Sequence, residues 1–247
     1  MKSFKMGVLG ACVALAFSGA ASASLINVGG VIWDPDAATD YSSQSLNMRQ
    51  FINTSTGELS GFGIIQAWNG TGPSSFCPGC EVTFQFGGYT PVGGVILPAV
   101  GQTVFYKSGW TKFYVGSGTD KDVANPFDYN ALTWANTGNG TLFLDLLAHT
   151  DSTSGFTLTG TNVGGILLSG LGTFDVIGGL AASNFNTNTQ ADGADLGFTT
   201  SLSFKRGSVA DVSGTGNLVG DSIPEPGTLT LLGAALLGAG LARRKVR

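Results

Sequence analysis

The sequence is short of charge, of basic groups and of the residues that build metal and redox centres. Only 11% of its 247 residues are charged, less than half of the roughly 25% usual for a soluble domain. One His and three Cys leave little material for a zinc or haem centre. Amphipathic helical repeats are nearly absent, and there is no fixed internal period of the kind a parallel β-helix requires. The G-x-S-x-G elbow and the G-x-x-x-x-G-K-[ST] phosphate loop are missing too. What is present is apolar or small: 43% hydrophobic residues, 10% aromatic, and 39 Gly. That aromatic content excludes a disordered chain, and the glycines lack the G-X-Y period of collagen.

The two ends read as addresses. Residues 1–23 have the form of a secretory signal peptide, with Lys2 and Lys5 ahead of an apolar centre from Gly7 to Ala20. Ala21-Ser22-Ala23 follows, which places the expected signal-peptidase cut between Ala23 and Ser24. At the other end, residues 224–247 run from Pro224, Glu225 and Pro226 through an apolar stretch to the basic residues Arg243, Arg244, Lys245 and Arg247. The apolar stretch 227–242 is an expected transmembrane helix, but a marginal one. Sixteen helical residues cover about 24 Å against a hydrocarbon core of about 30 Å. The basic cluster is expected to stay cytoplasmic, with the domain across the membrane.

Tripeptide, apolar helix and basic tail in that order resemble the PEP-CTERM sorting signal of Gram-negative bacteria. The resemblance implies recognition by exosortase, a membrane cysteine transpeptidase, and production alongside exported polysaccharide. A second likeness, to one recurrent group of PEP-CTERM substrates, rests on Gly29-Gly30-Val31-Ile32-Trp33-Asp34-Pro35-Asp36, on Gly57 to Gly63, and on Phe76-Cys77-Pro78-Gly79-Cys80 running on to Tyr89. It implies an exported domain and supplies no reaction.

Between the ends, residues 24–223 hold six basic and fifteen acidic groups, a formal charge of −9. Nucleic acid needs a basic footprint and is excluded as a partner; calcium, cationic groups or neutral glycans fit better. Glu81 to Phe86 and Leu196 to Phe204 alternate apolar and polar residues, the period of a half-buried strand. Further strands are expected at 28–33, 61–68, 103–107, 112–115, 141–148, 156–159 and 172–177, with a turn of helix at 127–134. Many short strands broken by Gly, Asn and Ser turns predict an all-β fold, an antiparallel β-sandwich or jelly roll, over residues 24–208. Residues 209–223 read as a flexible linker.

Candidate chemistry is sparse. Cys12 leaves with the signal peptide, so Cys77 and Cys80 are expected to form a disulfide in an oxidising compartment. A redox-active pair is the alternative, but such pairs open a helix, whereas an alternating strand follows here. Asp34, Asp36 and Asp40 are the first candidates for a calcium site, since hard cations take oxygen ligands. Asp120 with Asp122 and Asp192 with Asp195 are lesser groupings. His149 reads as a solvated turn residue. Trp68, Trp110 and Trp134 lie near turns and are candidates for stacking on sugar rings, with core packing as the competing role. No catalytic constellation stands out, so the expectation is a non-enzymatic structural or binding domain. It would be exported, held at the inner membrane, then released to the cell surface or an exopolysaccharide matrix. The alternative is a glycosidase or lyase on the same scaffold, which would need only two placed carboxylates.

Overall fold

The computed structural model describes residues 24–37, 41–125, 128–164, 167–205, 208 and 210–223. The signal peptide, Asp40 and the tail from Pro224 onward lie outside the described residues. Among the described residues no helix is long and apolar enough to cross a membrane.

The all-β expectation holds. A short hairpin, β1 (Ile26–Val28) and β2 (Val31–Trp33), precedes ten strands of one antiparallel sheet. These are β3 (Tyr41–Ile52), β4 (Leu59–Ala67), β5 (Cys80–Pro91), β6 (Thr103–Lys107), β7 (Trp110–Ser117), β8 (Thr141–Ala148), β9 (Leu158–Asn162), β10 (Leu167–Gly178), β11 (Leu196–Phe204) and β12 (Asp211–Gly220). Two four-residue helices, α1 (Pro73–Phe76) and α2 (Ala182–Phe185), punctuate them.

The layers that face each other across the core are joined by continuous hydrogen bonding. Strand β5 pairs with β4 on one edge and with β7 and then β6 on the other. Strand β10 likewise pairs with β11 on one edge and with β9 and then β8 on the other. Following the ladders from β3 through β4, β5, β7, β8, β10, β11 and β12 leads back to β3. A sheet closed in this way has few free edges to template aggregation.

Period-2 patterning decides what faces inward. Phe84, Phe86 and Leu202 are buried as expected, and Phe198 packs against them half-buried. The outer face of β3 and β4 is covered as well. The connection from β7 to β8 lays Val123 and Leu132 over Phe62 and Ile64. It is pinned there by the Glu81 carboxylate, which accepts from the Asp122 and Val123 N–H groups. Burial raises the Glu81 pKa, and these two bonds oppose the rise.

Two expectations about the fold are corrected, and one strand is new. Residues 211–220 of the expected linker are strand β12, paired on both edges, with Val212 and Leu218 fully buried. The domain therefore extends beyond residue 208, to Ile223. The expected helical turn at 127–134 is a series of turns over its described residues, 128–134. Strand β3 had no counterpart among the expected strands.

Candidate functional site

An aromatic cluster closes one pole of the sheet. Trp33 stacks on Trp68 at 5.6 Å and on Phe185 at 5.2 Å, and Phe143 meets Trp33 edge-on. Trp68, a candidate for sugar stacking, is thus core; Trp110 is half-buried and Trp134 is 44% exposed. At this pole α1 leads into the Cys77–Cys80 disulfide, whose Cα atoms lie 5.1 Å apart. Gly79, between the cysteines, has φ +85°, where a side chain is strained. Both cysteines are buried, and the Cys80 sulfur lies 3.5 Å from the Gly30 carbonyl. The two internal blocks of sequence around Gly29 and Cys77 therefore meet in space.

The same pole holds the exit of the chain. After β12, Ser222 is buried and its hydroxyl accepts from the Trp33 indole N–H at 3.1 Å. The Ile223 N–H donates to the Asn184 carbonyl at 2.7 Å, and the Asn184 amide donates back to the Ile223 carbonyl at 3.3 Å. The residue immediately before Pro224 is thus bonded into the folded body.

Residues 222–245 match the family description of the PEP-CTERM protein-sorting motif. The chain carries a PEP-CTERM sorting motif. Its first two matched residues, Ser222 and Ile223, are the ones bonded to Trp33 and Asn184, so the PEP-CTERM segment starts flush with the domain. Pro224, Glu225, Pro226 and the basic residues Arg243, Arg244, Lys245 and Arg247 fall in its later part, outside the described residues. No curated protein and no solved structure matches the chain significantly.

The acidic groups separate into distinct roles. The Asp34 carboxylate accepts from the Asp36 N–H at 2.9 Å, capping its own turn. Among the described residues no group of three or more His, Cys, Asp and Glu is arranged to hold a metal ion. Asp122 accepts from the Asn139 amide at 3.2 Å. Asp195 is buried and accepts from three backbone N–H groups, those of Val176, Thr187 and Asn188, each at 2.7 Å. It satisfies donors that would otherwise be stranded inside.

His149 is not a solvated turn residue. Its side chain is 17% exposed, with Nδ1 2.8 Å from Asp175 Oδ1 and Nε2 3.5 Å from Asp192 Oδ2. The Ser152 hydroxyl donates to Asp192 at 2.7 Å. The group is thus a histidine clasped by two carboxylates, tying the end of β8 to β10 and to the turn at Asp192. Burial pulls the His149 pKa down, but hydrogen bonding and charge from Asp175 and then Asp192 outweigh it and raise the pKa. The partners lie 26 and 43 residues downstream, so no local sequence signal marks them.

This geometry sets a pH dependence. A histidine with a raised folded pKa binds its proton more tightly when folded, so its stabilising contribution is complete below about pH 6.5. That contribution is lost as pH climbs through the raised value. Urea midpoints should therefore fall between pH 6 and 8, and Asp175→Asn should flatten the curve. Equal slopes in parent and variant would assign the dependence to another group.

Proposed function

We propose that this is an exported protein, released by exosortase and acting without catalysis as a structural or binding component of an exopolysaccharide matrix or the cell surface. The observation that carries the reading is the PEP-CTERM motif at 222–245, issuing directly from the folded domain. Its order of tripeptide, apolar run and basic end suits insertion with the basic residues in the cytoplasm and the domain on the far side.

A feature of the surface supports a neutral glycan as partner. Across β6, β9, β10, β11 and β12 the register aligns Thr103, Thr161, Ser169, Ser201 and Thr215 in one row. Neighbouring strands lie about 4.8 Å apart, and Thr103, Ser169, Ser201 and Thr215 are exposed. The row carries hydroxyls and no charge, which matches the chemistry of an uncharged polysaccharide better than that of an ionic partner.

The test is fractionation of tagged protein from hosts with and without exosortase, followed by co-sedimentation with host exopolysaccharide. Matrix-bound protein in the first host and membrane-retained protein in the second is the expected result. Identical fractionation in both would refute processing. Processed protein that stays soluble beside the polysaccharide would refute the matrix role alone.

A further inference from the structure

Eight strands around a closed sheet leave an interior that side chains just fill, or that holds one small ligand. Here the interior is not filled. A cavity of about 50 Å³ lies between the inner faces, lined by Leu46, Met48, Phe84, Phe113 and Leu202 among others. Its cause can be read from the register. Gly160 of β9 sits opposite Gly170 of β10, and both line the cavity where neighbouring inward positions carry Leu158 and Leu168. A Cβ added at Gly160 would meet only Tyr106 Cε2, at 3.4 Å.

Of the buried polar residues that line this space, Gln50 and Tyr106 have no side-chain hydrogen-bond partner among the described residues. The residues are 8% and 3% exposed. Burial pushes the Tyr106 phenol up to about 12, with no hydrogen bond opposing it. The neighbouring Tyr89, by contrast, has the Thr111 hydroxyl as a partner. Polar groups left unpaired inside a protein are costly, and a ligand that bonds them recovers that cost. Among the described residues no Asp, Glu, Lys, Arg or His lines the cavity, so a charged ligand would lose its hydration with no counter-charge from them.

We propose that the cavity is a binding site for a compact, uncharged, mainly apolar molecule of the phenol class, oriented by Gln50 and Tyr106. The resting volume is about a third of the 150 Å³ cavity known to admit benzene, so one wall must yield on entry. Pro98 forms part of that wall, on a connection containing Gly93, Gly94 and Gly101, each at positive φ. Leu97 and Val100 of the same connection are exposed, giving an apolar approach.

The experiment uses the full-length chain with phenol, toluene and benzoate, read by thermal shift and by the methyl resonance of Met48. Only Met1 and Met6 share that residue type, and both fall within the expected signal peptide. Phenol should raise the melting temperature with dose and move the Met48 methyl, toluene should bind about tenfold more weakly, and benzoate should do neither. Gln50→Leu combined with Tyr106→Phe should bring phenol down to the affinity of toluene. Gly160→Ala should fill the void and weaken both by at least about tenfold. An unmoved Met48 methyl at saturating phenol would overturn the proposal, with or without a foldable Gly160 variant. So would undiminished binding to Gly160→Ala.

Discussion

Replacing Pro224, Glu225 and Pro226 with alanine should leave full-length protein in the membrane and abolish the shorter, released form. Two prolines flanking Glu225 give the tripeptide a sequence that disfavours both helix and ladder pairing. Alanines remove that constraint and let helix propagate back toward Ile223. On the proposed reading, recognition at the motif is then lost, while the apolar run 227–242 and the basic residues after it are unchanged. The effect should be close to all-or-none on a blot that separates the two masses. Equal mature mass and location in parent and variant would make the tail a permanent anchor and end the sorting interpretation.

The second large effect is expected inside the sheet. Gly61 and Gly63 of β4 stand opposite Phe86 and Phe84 of β5, and the two rings lie over them. A Cβ at Gly63 would overlap the Asn47 carbonyl oxygen and the Phe84 ring. One of these is backbone in a paired strand and cannot step aside. Gly63→Val should therefore cost at least about 3 kcal/mol, the upper range for overpacking. At roughly 2–4 °C per kcal/mol for a domain of this size, thermal melting should fall by roughly 6–12 °C. Gly160→Ala, whose new methyl makes one ordinary contact at 3.4 Å, is the matched control and should barely move it. Similar losses in both variants would mean that glycine is needed for backbone freedom rather than for the space taken by the rings.

How far the sequence reveals this molecule depends on whether a signal is local. The strands at 103–107, 141–148 and 196–204 fall where short apolar runs between turn residues place them, and in 196–204 the side-chain period also reports the buried face. The Cys77–Cys80 bond is equally local. Strand β12 was missed because Gly214, Gly216 and Gly220 occupy it, and glycine-rich polar sequence reads as a linker. Inside the sheet those glycines make room for neighbours: a Cβ would overlap the Ser201 carbonyl at Gly214 and the Leu196 side chain at Gly220. In β3 the alternation is present in Leu46, Met48 and Ile52, but Gln50 interrupts it. The contacts that matter most for the candidate sites join residues far apart in the chain. Trp33 and Ser222 are separated by 189 positions, and nothing near either one announces the other.

The place where the tail leaves the domain also has a mechanical meaning. Any pull on residues 224–247 enters the fold at Ile223 and is passed along β12. That strand lies between β11 and β3, antiparallel to both, over nearly its whole length. Force directed along it loads two ladders of hydrogen bonds in shear, many bonds at once. A terminal strand at a sheet edge would instead peel away one bond at a time. A load applied at the C-terminal end of the domain thus enters the part of its sheet best able to bear it.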